Sequence, residues 1–229
     1  MSRKIRLFII ECVDPMDLIQ ERSEGRALEQ ICKIIGHEVS ILTAYSRQDL
    51  DKFIDYISSI DANHDSSTWR ETPLCIHIAA HGNSDGVAFG RDFINWQDLY
   101  VSLEPVIYDM CDYNGEVILS ISACGAGNQK LVDEIEKKKE AEKISRRRRI
   151  NKEVIPPEFI FVTKGSGGRD ITYWDDSAVA WTIFYHQLSK LRRLEQTDVN
   201  EIIRDIRNTT ETELISFEWD KEKKRYFIR

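Results

Sequence analysis

The chain has 229 residues, 41% of them hydrophobic and 31% charged, and a formal charge of −7 at neutral pH. That is enough chain for one α/β core, so a single domain over residues 1–229 is expected. The acidic balance argues against nucleic acid as the partner of the surface as a whole. No apolar run approaches the roughly eighteen residues a membrane span needs. The basic start, MSRKIRLFII, has too short an apolar run for a signal peptide, and Glu11 follows it directly. The five cysteines, at 12, 32, 75, 111 and 124, are odd in number and form no C-x-x-C pair. That pattern points to free thiols in a reducing, cytoplasmic setting.

The elements follow in order. Residues 5–10 (IRLFII) predict a buried strand, and the polar stretch after it, which contains Pro15, predicts a loop. Arg26–Ile35 reads as a helix, with Leu28, Ile31, Cys32 and Ile35 at helical spacing and Gly36 as C-cap. His37–Ala44 reads as a second strand. Ser46 precedes a helix with Leu50, Phe53, Ile54, Ile57 and Ile60 on one face. A loop leads to a third strand over Leu74–Ala80, which stops at His81-Gly82. Two short apolar pieces around Gly90-Arg91-Asp92 predict a hairpin, and a helix follows from Trp96 to Met110, with Pro105 inside it expected to kink or split it.

Val117–Ser122 is the fourth strand of the main series and stops just before Cys124-Gly125. Residues 128–149 begin as a helix and become a run of charge, which Pro156-Pro157 ends. Phe159–Thr163 predicts a fifth strand, followed by a glycine-rich loop over 164–170. Helices over 175–191 and 199–206 and a terminal hairpin complete the chain. Strands and helices alternate, so the class is α/β, with a mostly parallel sheet covered on both faces.

In such a sheet, ligands sit beyond the carboxyl ends of the strands. Two strands ending in His81-Gly82 and in Cys124-Gly125 bring an imidazole and a thiol to that rim. A thiol attacks a carbonyl as thiolate and needs a base beside it, and histidine can later protonate the leaving amine. Glycine lets the backbone approach a substrate, and the Gly82 and Cys124 backbone N–H groups are candidates for an oxyanion hole. Either residue alone at a strand end would more often be structural. Together they make Cys124 a candidate nucleophile and His81 a candidate general acid/base.

The stretch HGNSDGVAFGRDFINWQDL resembles the caspase signature of strand, His-Gly, acidic turn, apolar hairpin and helix, and ISACGAG is similar to its second, cysteine-bearing signature. The order of elements over residues 3–190 also resembles the caspase-haemoglobinase fold, shared by caspases, metacaspases, separases, clostripain, gingipains and bacterial CHAT proteases. The resemblance implies a three-layer sandwich, a cysteine endopeptidase with Cys124 as nucleophile and His81 as acid/base, and no required third catalytic side chain. The sequence departs from two subfamilies. Ser122-Ala123-Cys124-Gly125 stands where eukaryotic caspases carry Gln-Ala-Cys-Arg-Gly, and no arginines match those that hold a P1 aspartate. Ser122 also stands where metacaspases have the aspartate that binds a basic P1 residue.

In this fold the loop after the fifth strand shapes the substrate pocket. Asp170, Asp175 and Asp176 there, and Asp85 after His-Gly, are candidate acids for a Lys or Arg at P1. Asp175 and Asp176 equally suit the start of a helix. Residues 137–153 lie where proteases of this fold are often processed, so Arg146, Arg147, Arg148 and Arg149 are a candidate self-cleavage site. The same arginines could be a solvated helix face, a phosphate contact or a site for an anionic activator. KGSGG lacks Walker spacing, the five histidines show no zinc spacing and no EF-hand loop occurs, so no metal or cofactor is called for. His77, mid-strand, reads as a packed core residue.

The expected partners are a protein or peptide substrate and a small-molecule or protein activator. Resemblance to compact bacterial caspase-like proteins suggests an effector in stress or antiviral defence. The alternative is a catalytically silent caspase-like module that binds a partner or a small anionic, nucleotide-like signal. A nucleotide-binding α/β domain without proteolysis is a third reading, and the missing phosphate motif counts against it.

Overall fold

The structure is a computed structural model, and it describes residues 3–59, 72–108, 113, 115–128, 130–134, 137, 157–165, 171–223 and 225–228. Strand β1 (Arg6–Glu11) is followed by helices α1 (Pro15–Ile19) and α2 (Glu24–Ile35), strand β2 (Glu38–Thr43) and helix α3 (Arg47–Ser59). Strand β3 (Leu74–Ala79) leads into three short strands, β4 (His81–Asn83), β5 (Gly86–Phe89) and β6 (Asp92–Asn95), then helix α4 (Trp96–Tyr108) and strand β7 (Val117–Ser122). Strand β8 (Phe159–Gly165), helices α5 (Trp174–Leu188) and α6 (Gln196–Thr209), and strands β9 (Thr212–Asp220) and β10 (Arg225–Ile228) complete it.

The main sheet has seven strands in the order β10-β9-β8-β7-β3-β1-β2. The five from β8 to β2 run parallel, while β9 and β10 add antiparallel at one edge. The terminal hairpin therefore extends the main sheet. Strands β1 and β3 are buried at every position, as a parallel sheet covered on both faces requires, whereas the edge strand β2 is half-buried or exposed throughout.

Alternation along β1 explains the three layers. Ile5, Leu7 and Ile9 pack with Leu28 and Cys32 of α2, Trp181 and Phe184 of α5 and Ile202 of α6. Phe8 and Ile10 point the other way, to Leu50 and Ile54 of α3 and Leu99 and Leu103 of α4. Side chains two apart share a face of a strand, so one hexapeptide anchors helices on both sides.

Three local expectations are corrected. The stretch after β1 is not all loop: Asp14 accepts from the Met16 N–H at 2.8 Å and Pro15 takes the first helical position, so the proline opens α1. Helix α2 starts at Glu24, two residues before Arg26, because Ser23 caps it by accepting from the Arg26 N–H at 3.0 Å. Pro105 neither splits nor ends α4. The carbonyl it leaves without an N–H partner belongs to the exposed Val101, where water can reach. Gly36, at φ 101°, ends α2 as expected.

Candidate active site

The register of β3 against β7 sets the site. Ala79 lies opposite Ser122, so His81 and Cys124 each stand two residues beyond the same rung of the ladder. The Ala80 N–H donates to the Ser122 carbonyl at 3.1 Å and holds the two chains together to the end. Beyond that rung they pack backbone on backbone. A Cβ on Gly82 would lie 2.7 Å from the Cys124 carbonyl oxygen, and one on Gly125 would lie 2.1 Å from the Asn83 carbonyl carbon. Gly125 also holds φ at +76°, a region that L side chains rarely adopt. His81 itself opens β4 of a second, antiparallel sheet in the order β4-β5-β6, which the expected hairpin forms with it.

Thr163 of β8 pins the chain just before the cysteine. Its hydroxyl accepts from the Ala123 N–H at 3.1 Å and donates to the Ala123 carbonyl at 3.2 Å. Cys124 is partly exposed, whereas Cys12, Cys32 and Cys75 are buried. Burial pushes the Cys32 thiol up to about 12 and raises those of Cys75 and Cys12. Among the described cysteines, Cys124 is thus the one that solvent and an electrophile can reach.

Cys124 and His81 line one small pocket of about 60 Å³ with Glu24, Ser122, Thr172 and Trp174. Each is turned to another neighbour. The Cys124 Sγ lies 3.7 Å from the Thr172 carbonyl oxygen and 3.8 Å from its hydroxyl. The His81 Nε2 lies 3.4 Å from Asp17 Oδ2, and its ring meets Trp174 edge-on at 5.3 Å between centroids. Among the described residues, no hydrogen bond joins Cys124 to His81. Residues 172–174 therefore lie over both groups at once, the threonine on the thiol and the tryptophan on the imidazole.

Beneath this pocket runs a buried polar chain that the sequence did not reveal. Glu24 Oε1 lies 2.9 Å from His77 Nε2, and its Oε2 accepts from the Ser122 hydroxyl at 2.9 Å. Ser122 also meets Ser177 Oγ at 2.7 Å, and His77 Nδ1 meets the Tyr185 hydroxyl at 3.1 Å. His77 is the core histidine expected, with Trp181 edge-on against it at 4.9 Å.

The candidate specificity acids separate. Asp85 sits at the tip of the β4–β5 turn, 71% exposed, with Oδ1 3.0 Å from the Lys130 ammonium. Asp175 and Asp176 stand in the first turn of α5, whose cap residue Tyr173 makes no side-chain cap bond, so neither acid caps it. Asp175 lines a cavity of about 470 Å³ that shares Glu24, Tyr173 and Trp174 with the first pocket and adds Glu21, Arg22 and Ser23. Glu21 and Glu24 escaped the sequence reading because they belong to the segment after β1, far along the chain from both signatures. Asp170 and Arg146–Arg149 lie outside the described residues.

A crystal structure of caspase-1 from Spodoptera frugiperda is similar over 94% of this chain and 87% of that one, at 12% identity and a TM-score of 0.53. The fold is caspase-haemoglobinase-like. No family model matches the chain, and no curated protein matches it. The kinship with that caspase is one of fold, at an identity too low to carry mechanism. Among the described residues, no helix is long and apolar enough to cross a membrane. No group of three or more His, Cys, Asp or Glu among them is placed to hold a metal ion.

Proposed function

We propose that the chain is a caspase-like cysteine endopeptidase, with Cys124 as nucleophile and His81 as general acid/base. The observation that carries this reading is the β3–β7 register, which brings the one reachable thiol among the described cysteines and a half-exposed imidazole into a single pocket at the carboxyl edge of the sheet. The Cys124 sulfur, having given its proton to His81, forms a bond to the scissile carbonyl carbon. The carbonyl electrons move onto oxygen, beside the Gly82 and Cys124 backbone N–H groups. The C–N bond then breaks as His81 returns the proton to the departing amine. A water that loses a proton to His81 attacks the thioester, and the sulfur leaves as the acid product is released.

The neighbouring cavity supports a Lys or Arg at P1. Glu24 is committed to His77 and Ser122, but Glu21 and Asp175 still outnumber Arg22 among its charged groups, and a desolvated cation needs a carboxylate. On this reading Arg146–Arg149 are a self-processing site, and processing or an activator opens the small pocket. By resemblance, the setting is a bacterial defence or stress effector. One observation favours the silent-module alternative: thiol and imidazole face Thr172 and Asp17 rather than each other. Closed loops of this kind often move on activation.

Intact mass over time, beside a fluorogenic panel with Arg, Lys, Asp or Leu at P1, separates the two readings. Wild type is expected to cleave after Arg or Lys, and Cys124→Ala to lose all turnover. Retained cleavage by Cys124→Ala overturns the assignment. An inert wild type whose Cys124 also resists iodoacetamide favours the silent module.

A further inference from the structure

We propose that Asp17 is a positioning residue for His81, a carboxyl group that fixes which imidazole nitrogen is free to work on Cys124. The inference rests on the peptidase reading above. It goes beyond that reading, because neither the sequence signatures nor the fold calls for a third side chain.

Asp17 comes from α1, six residues past the end of β1, so the topology delivers it to the carboxyl edge where His81 stands. The helix is only one turn long, but it is fixed at both ends. Asp14 caps its start, and the Arg22 N–H closes back onto the Asp17 carbonyl at 2.8 Å. The Asp17 side chain is 18% exposed and the His81 side chain 50%, so the carboxyl group is the more shielded partner and half of the imidazole side chain stays in solvent. Trp174 meets the ring edge-on at an interplanar angle of 87°. The imidazole is thus held by two elements, one after β1 and one after β8.

A neutral imidazole has one N–H donor and one lone-pair acceptor. A carboxylate beside Nε2 favours the tautomer with the proton on Nε2. That leaves the Nδ1 lone pair to take the thiol proton, and the same carboxylate steadies the imidazolium that results. The acid that lines the pocket itself, Glu24, has its oxygens on His77 and Ser122. The 3.4 Å separation is longer than a formed hydrogen bond, and such contacts commonly shorten when substrate binds. The working order along the chain becomes Asp17, His81, Cys124.

The test uses ¹⁵N-histidine NMR of the full chain together with kinetics on the cleaved peptide. Wild type is expected to show His81 protonated on Nε2. Asp17→Ala is expected to shift it toward a mixture of tautomers and to lower kcat roughly ten- to a hundredfold with KM little changed. Asp17→Asn should recover part of both effects, because its amide oxygen still accepts from Nε2–H. Thermal unfolding of the variants, unchanged beside wild type, separates this effect from damage to α1. An unaltered His81 tautomer in Asp17→Ala overturns the proposal whatever the activity. A tautomer shift in a chain whose wild type hydrolyses no peptide upholds the positioning contact and refutes the peptidase reading instead.

Discussion

His77 and His81 stand four residues apart, one within β3 and the other just beyond its end, and each faces a carboxyl group, yet the two regions they occupy behave differently. His77 has both ring nitrogens engaged, by Glu24 and Tyr185, and no exposed surface. His81 has one nitrogen near Asp17, half its side chain in solvent and a reachable thiol in the same pocket. The same side chain is a structural tie in one place and a candidate reagent in the other. The difference is set by whether a nitrogen is left over and whether anything can reach it.

Breaking the buried pair is expected to have the largest effect. Glu24→Ala leaves His77 and Ser122 without their partner inside the core, which costs about 3–5 kcal/mol for a buried pair broken on one side. Chemical denaturation should report that loss, and a change near that of a surface substitution would show that water replaces the carboxyl group. The corresponding cut at the rim, Asp17→Ala, should barely move stability, since a 3.4 Å contact to a half-exposed imidazole contributes little.

Gly125→Ala tests whether the rim region is as rigid as the buried one. The substitution combines a positive φ with a Cβ driven into the Asn83 backbone, so a loss of roughly 2 kcal/mol is expected. It should also slow alkylation of Cys124, because the thiol's own loop must shift. Unchanged stability and unchanged alkylation would mean that the two loops move independently.

The smallest effect sharpens the buried side. Burial pushes the Glu11 carboxyl up, against bonds from Ser23 and the Gly25 N–H that lower it. The folded chain then holds a proton on Glu11 at a pH where the unfolded chain has released it. Stability from this group is greatest below the ordinary carboxylate range and falls as pH rises through the window just above it. Glu11→Gln keeps a partner for both Ser23 and Gly25 but does not ionise. It should raise the unfolding temperature at about pH 7 and change it little at about pH 4, the ordinary carboxylate range. An equal shift at both pH values would mean that the gain comes from packing and not from charge.

The sequence by itself determined the alternation of strands and helices, the two strands that end in His81-Gly82 and Cys124-Gly125, and the core role of His77. These are local properties: a buried parallel strand must be apolar along its whole length, and a glycine after a reactive side chain marks a close backbone approach. It missed α1, because Pro15 reads as a breaker until Asp14 is seen capping the turn, and it opened α2 two residues late, because the cap from Ser23 was not read. Only the tertiary structure decided what surrounds the pair. Asp17, Glu24 and Trp174 are distant from His81 and Cys124 along the chain, and what brings them together is the strand order, with β1 and β7 flanking β3. The sequence bet instead on acids close to the signatures, and of these Asp85 turns to Lys130 while Asp175 reaches only the adjoining cavity. Periodicity reports which face of an element is buried; it carries no record of which loop arrives beside which strand end, and that arrival gives His81 its carboxyl neighbour.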